Sequence, residues 1–164
     1  MFDSSIPHLT HYLKALSNIL KKAEAHCEAK KIDPNALLNF RLFPDMLPFT
    51  RQVQIACDFV KGCGARLTGI AVPSFVDEEK TFADLQQRIA KTLDFVGGLK
   101  KEAYAGSATR QVTIKVAGQD KTMSGAEYVS GFVFPNFYFH LTTAYNILRH
   151  NGVELGKGDF MGRS

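Results

Sequence analysis

The chain has 164 residues, 45% hydrophobic and 22% charged, with a net charge of +4. That length suits one domain over residues 1–164 with a sizeable core, and the composition is that of a globular protein rather than a disordered one. No apolar run approaches the roughly 18 residues that a membrane-spanning helix needs. The basic pairs Lys21-Lys22, Lys30-Lys31 and Lys100-Lys101 are scattered and not interleaved with aromatics, so no nucleic-acid or membrane partner is expected. The opening residues lack a basic region followed by an apolar block, and a cytoplasmic location is expected. Cys27, Cys57 and Cys63 are odd in number and have no metal-like spacing, which reads as reduced thiols in or near the core.

Leu9, Tyr12, Leu13, Leu16, Ile19, Leu20 and Ala23 recur three and four apart, predicting an amphipathic helix from Ile6 to Lys30. Ser4 or Ser5 can cap it, with Pro7 in its first turn. His8, His11 and His26 read as exposed or half-buried polar residues of this helix. Ile32-Asp33-Pro34-Asn35 breaks it. The connection from Ala36 to Pro48 carries Leu37, Leu38, Phe40, Leu42, Phe43, Met46 and Leu47, so it must lie down on the protein. Within it, Asp45 can cap the next helix or complement its dipole, or form a structural ion pair with Arg41.

A second helix is expected from Phe49 to Ile70, with Val53, Ala56, Phe59 or Val60, Cys63 and Leu67 facing inward. Gln54 and Asp58 lie four apart and point the same way. Gly62 and Gly64 weaken the helix or admit a close neighbour. After the connector Val72-Pro73-Ser74-Phe75-Val76-Asp77, Thr81-Phe82-Ala83-Asp84 has the form of a capping box opening a third helix to Val96. Gly97-Gly98 ends it. Val112, Ile114 and Val116 alternate with Gln111, Thr113 and Lys115 as a strand does; Gly118-Gln119-Asp120 is the expected turn and Lys121-Thr122-Met123 the return. Ser124-Gly125-Ala126-Glu127 caps a short helix, which Phe134-Pro135 is expected to break.

The last helix runs from Pro135 to Asn151-Gly152, a helix stop. Phe137, His140, Leu141, Ala144, Tyr145 and Leu148 form one stripe, and Asn136 and His140 make a polar pair four residues apart. The tail Val153–Gly162 is glycine-rich without the strand-to-helix setting of a phosphate loop, and Phe160 and Met161 are its anchors.

Asn136-x-x-x-His140 followed by Leu148-Arg149-x-x-Gly152 resembles the last helix of the DinB/YfiT-like superfamily, which carries His-x-x-x-His there. Arg41-x-x-Pro44-Asp45-Met46, Gln52-Val53-Gln54 and Pro135-Asn136-Phe137-Tyr138-Phe139-His140 resemble an uncharacterised branch of it, known as a domain of unknown function, over nearly the whole chain. The resemblance implies an all-α fold: an up-down four-helix bundle, here with a small β-hairpin before the last helix, and often a homodimer. It also implies a divalent metal such as Zn or Ni held by three histidines, one from the second helix and two from the last. His140 matches one of those histidines. Asn136 stands in place of another, and the second helix has none, leaving Gln54 and Asp58 as candidates. Asn is a weak ligand for such metals.

The expected metal set is therefore Asp58, Asn136 and His140, within a polar pocket that adds Gln54, Tyr138 and Tyr145 as ligand-binding residues. His140 is the candidate catalytic group, since histidine titrates near neutrality. Whether the protein is an enzyme stays open at this point. A small-molecule-binding bundle is the favoured reading, with a degenerate metal-dependent transferase or hydrolase and a dimeric interaction protein with a vestigial site as alternatives.

Overall fold

The computed structural model describes residues 1–163. It is mostly helical with one small antiparallel hairpin. In chain order the elements are α1 (Phe2–Lys30), α2 (Pro34–Leu38), α3 (Phe49–Thr68), α4 (Phe82–Gly97), β1 (Gln111–Val116), β2 (Gln119–Ser124), α5 (Gly125–Glu127), α6 (Phe134–His150) and α7 (Lys157–Phe160). A 3-10 turn, Lys101–Tyr104, follows α4, and a π-helical segment, Tyr128–Val133, joins α5 to α6. The long helix α3 lies against both α4 and α6, and α1 touches all three. Leu9, Leu13, Leu16 and Leu20 of α1 meet Phe49, Val53, Val60 and Leu67 of α3, Leu85 and Ile89 of α4, and Phe137, Leu141 and Leu148 of α6 in one buried core. Each such side chain contributes about 1.5–3 kcal/mol by leaving water.

Local signals set most boundaries. Thr81 and Asp84 form a reciprocal capping box at α4, and Ser124 and Glu127 form another at α5. α1 starts earlier than its apolar period suggests. Met1 is its N-cap, the Ser5 hydroxyl donates to the Met1 carbonyl at 2.8 Å, and Pro7 lies inside the helix. The missing proline N–H leaves only the carbonyl four residues back, near the exposed helix start, without its partner. Asp33 does more than interrupt: its carboxylate accepts from the Asn35 N–H at 2.9 Å and opens α2. Arg41 donates to the Met46 carbonyl at 2.7 Å rather than pairing with Asp45.

The hairpin turn falls at Ala117-Gly118, between the paired residues Val116 and Gln119, one residue before the expected position. Both turn residues have positive φ, 48° and 82°, as a two-residue hairpin loop requires. Val112 and Ile114 face the core and their neighbours face solvent. Gly125 closes the hairpin's base, where a Cβ would lie 1.9 Å from the Ser107 carbonyl oxygen. The Phe134-Pro135 step does not end a helix. The π-helical segment runs straight into α6, and this wider turn is where the proline ring and its missing N–H are tolerated.

The tail is anchored as its aromatic content suggests. The Phe160 ring sits 5.8 Å from those of Tyr12 and Tyr145, and the Met161 carbonyl bonds His11 Nε2 at 2.9 Å. All three cysteines are free and buried, and burial pushes the thiols of Cys57 and Cys63 up to about 12, which leaves them unreactive. Among the described residues no helix is long and apolar enough to cross a membrane.

Candidate functional site

His140 projects from α6 toward the first half of α3. Its Nδ1 lies 2.7 Å from Oε1 of Gln52, a residue only 1% exposed. The other end of that amide donates from Nε2 to the Leu47 carbonyl at 2.8 Å. A carbonyl can only accept, so the amide nitrogen must face Leu47 and the amide oxygen must face His140. The imidazole therefore carries its proton on Nδ1, and Nε2 is left as a bare lone pair. The ring is held by Phe59, stacked at 6.1 Å and 20°, and by Phe139, edge-on at 5.2 Å and 89°. Burial, with the Arg51 charge nearby, lowers its pKa. The site thus presents a neutral imidazole of defined tautomer.

The other expected residues are held by partners of their own. The Asn136 side chain donates to the Phe132 carbonyl at 2.7 Å, tying the π-helical segment to the start of α6. Asp58 pairs with Lys61 at 2.8 Å and Arg88 at 3.0 Å. Gln54 accepts from Arg51 and donates to Glu79, both at 2.6 Å. Gln54 and Asp58 share a face, as their spacing requires, but it is turned toward α4 and the segment 69–81. Tyr138 and Tyr145 lie about 160° and 140° around α6 from His140, given 3.6 residues per turn. Tyr138 packs on Tyr12 at 5.4 Å and Tyr145 on Phe160. The structure brings His140 together with Gln52, Phe59 and Phe139, and not with these two tyrosines.

Among the described residues no group of three or more His, Cys, Asp or Glu side chains is placed to hold a metal. Around His140 the nearest polar partner is an amide already engaged at both ends. That donor set does not fit a three-imidazole centre.

Gln52 is the residue that sequence reasoning undervalued. It interrupts the inward stripe of Phe49, Val53 and Ala56, and a buried amide there must find partners. Arg88 was missed as well. Its side chain is 1% exposed and bridges Asp58 on α3 to Asp77 and Glu79 of the segment 69–81, at 2.9–3.0 Å. An arginine at i+3 from Leu85 on an otherwise apolar face was its only signal.

The fold is that of a DinB-like helical protein. A model of a domain of unknown function, DUF1993, matches residues 1–161, and the chain belongs to that family. Among solved structures it is similar to that of a DinB family member protein from Shewanella denitrificans, with 45% identity and a TM-score of 0.91 over 98% of this chain and 90% of the other. No curated protein matches.

Proposed function

We propose that the chain is an up-down four-helix-bundle protein of the DinB type that binds a small molecule at His140, with Nε2 as the atom that meets it. The observation that supports this is the Leu47–Gln52–His140 relay, which spends a fully buried amide on holding one tautomer of one imidazole. Phe139 beside it is 55% exposed, so the ring lies near the surface. A ligand suited to Nε2 presents an N–H or O–H donor and covers Phe139. The test is a fragment screen by amide NMR against wild type and His140→Ala. Hits should shift Gln52, Phe139 and His140 and be lost in the variant. Fragments that bind the variant equally well, or none at this surface, would contradict the reading.

The same lone pair supports a second reading, a degenerate transferase or hydrolase with His140 as general base. Its metal-dependent form requires Asp58 and Asn136 to reach one metal ion together with His140 Nε2, although Asp58 is drawn toward Lys61 and Arg88 and Asn136 is tied to the Phe132 carbonyl. A near-stoichiometric divalent ion, retained without chelators and lost in His140→Ala, would favour it over ligand binding alone.

A further inference from the structure

We propose that a cleft bounded by α3, β1 and the π-helical segment is a separate binding site for a small carboxylate with a flat apolar body, Arg66 binding the carboxylate. It goes beyond the His140 reading: Phe59 borders both sites, but the polar groups of each are its own.

The cleft is an open depression of about 340 Å³, at the lower end of the roughly 300–1,000 Å³ typical of small-molecule sites. One wall is aromatic: Phe59 meets Phe132 edge-on at 5.6 Å, and Phe132 stacks on Tyr128 at 6.0 Å and 25°. Ile55 and Ile114 complete the apolar lining. Such walls suit a planar hydrocarbon or aromatic ring.

The charges in the cleft are uneven. Asp58 lines it, but Lys61 and Arg88 neutralise its carboxylate. Lys115 also lines it, 3.8 Å from Asp120 and largely exposed. Arg66 donates from Nη1 to the Tyr128 hydroxyl at 3.1 Å, and its guanidinium lies 5.8 Å from that ring's centroid. Among the described residues Arg66 forms no ion pair. A half-buried guanidinium, oriented by one neutral hydroxyl, keeps donors free for a planar bidentate anion.

Gly62 explains how Arg66 is seated. A Cβ at Gly62 would lie 2.4 Å from Arg66 Nη1 and 3.7 Å from the Tyr128 hydroxyl. The guanidinium lies back along its own helix in the space this glycine leaves open. Glycine inside a helix costs about 0.5–1 kcal/mol relative to alanine. Here that cost places a cation against the aromatic wall. The π-helical segment supplies Tyr128 and Phe132 to the same cleft, and such segments recur at functional sites.

The experiment is an amide NMR titration with benzoate, benzamide and inorganic phosphate, on wild type, Arg66→Met and Gly62→Ala. Benzoate should shift Ile55, Phe59 and Ile114 while leaving the His140 ring nitrogens unmoved, so this test and the His140 screen can fail separately. Benzamide should bind at least about tenfold more weakly, as should benzoate to Arg66→Met, because each loses a charge-assisted pair. Gly62→Ala should weaken benzoate by a similar factor while matching or exceeding wild type in thermal stability. Equal affinity for benzoate and benzamide, undiminished benzoate binding in either variant, phosphate binding as tight as benzoate's, or no cleft shifts at millimolar benzoate would overturn the proposal.

Discussion

Gln52 and His140 make one unit, and its chemistry follows from which atoms can donate. The Leu47 carbonyl fixes the amide, the amide fixes the imidazole, and Nε2 is what remains. Because burial and Arg51 hold the folded-state pKa of His140 below the ordinary 6.5, the unfolded chain takes up this proton first as pH falls. The stability this group contributes is therefore complete above about pH 6.5 and is lost as pH drops below it. Gln52→Glu should reverse that trend. A carboxylate facing Nδ1 favours the charged imidazole, so an NMR titration should find the His140 pKa raised above its wild-type value. A pKa that does not move would mean that Gln52 does not face the ring. From the sequence, Gln54 and not Gln52 stands among the candidate site residues. Two residues apart on a helix, they point to nearly opposite sides, and only the docking of α6 decides which one meets His140.

At the scale of elements, the segment 69–81 is the part with least secondary structure and the most ionic ties. Arg88 reaches Asp58, Asp77, Glu79 and the Val76 carbonyl, Arg51 also pairs with Asp77, and Phe75 lies 4.2 Å beneath both the Lys61 and Lys91 ammonium groups. Although burial alone would raise the Asp77 pKa, the hydrogen bond and charge of Arg51 and the charge of Arg88 hold it below the ordinary carboxylate value. Arg88→Met leaves these carboxylates without their shared cation, and should lower unfolding stability by about 1–3 kcal/mol, since Asp58 and Asp77 are more than a third exposed and keep Lys61 and Arg51 as partners. Amide exchange should accelerate most within 69–81. An unchanged denaturation midpoint with unchanged exchange there would remove Arg88 from this role. The capping boxes at Thr81 and Ser124, the alternation of β1 and the Gly152 stop were all legible because each is a contact between residues a few positions apart. The Arg88 bridge and the π-helical passage through Pro135 were not. The first joins residues up to 30 apart in sequence, and the second depends on how α6 is pulled against α3.

For the whole molecule, the amphipathic periods of α1, α3, α4 and α6 already foretold a helical protein with a small hairpin, and the family match and the similar solved structure agree. The expected convergence of Asp58, Asn136 and His140 rested on the family's metal pattern rather than on these residues' own neighbours. A charged or amide side chain takes the nearest complementary partner, and here α4 and the π-helical segment supply it. We also propose that the protein is a homodimer. Leu47 and Phe139, both exposed apolar residues, flank the Gln52–His140 unit, and a second copy would close over them with the ligand between the two chains. Sedimentation at micromolar concentration should give twice the chain mass, with a shift toward monomer in Phe139→Asp. A monomeric wild type would contradict this.

The claim on which the functional reading rests is the state of one ring. Long-range ¹H–¹⁵N NMR of the histidine side chains at pH 7 tests it most directly. The expected result is a neutral His140 with a protonated Nδ1 and an unprotonated Nε2, changed in Gln52→Leu. A charged ring at that pH, or a proton on Nε2, would contradict it.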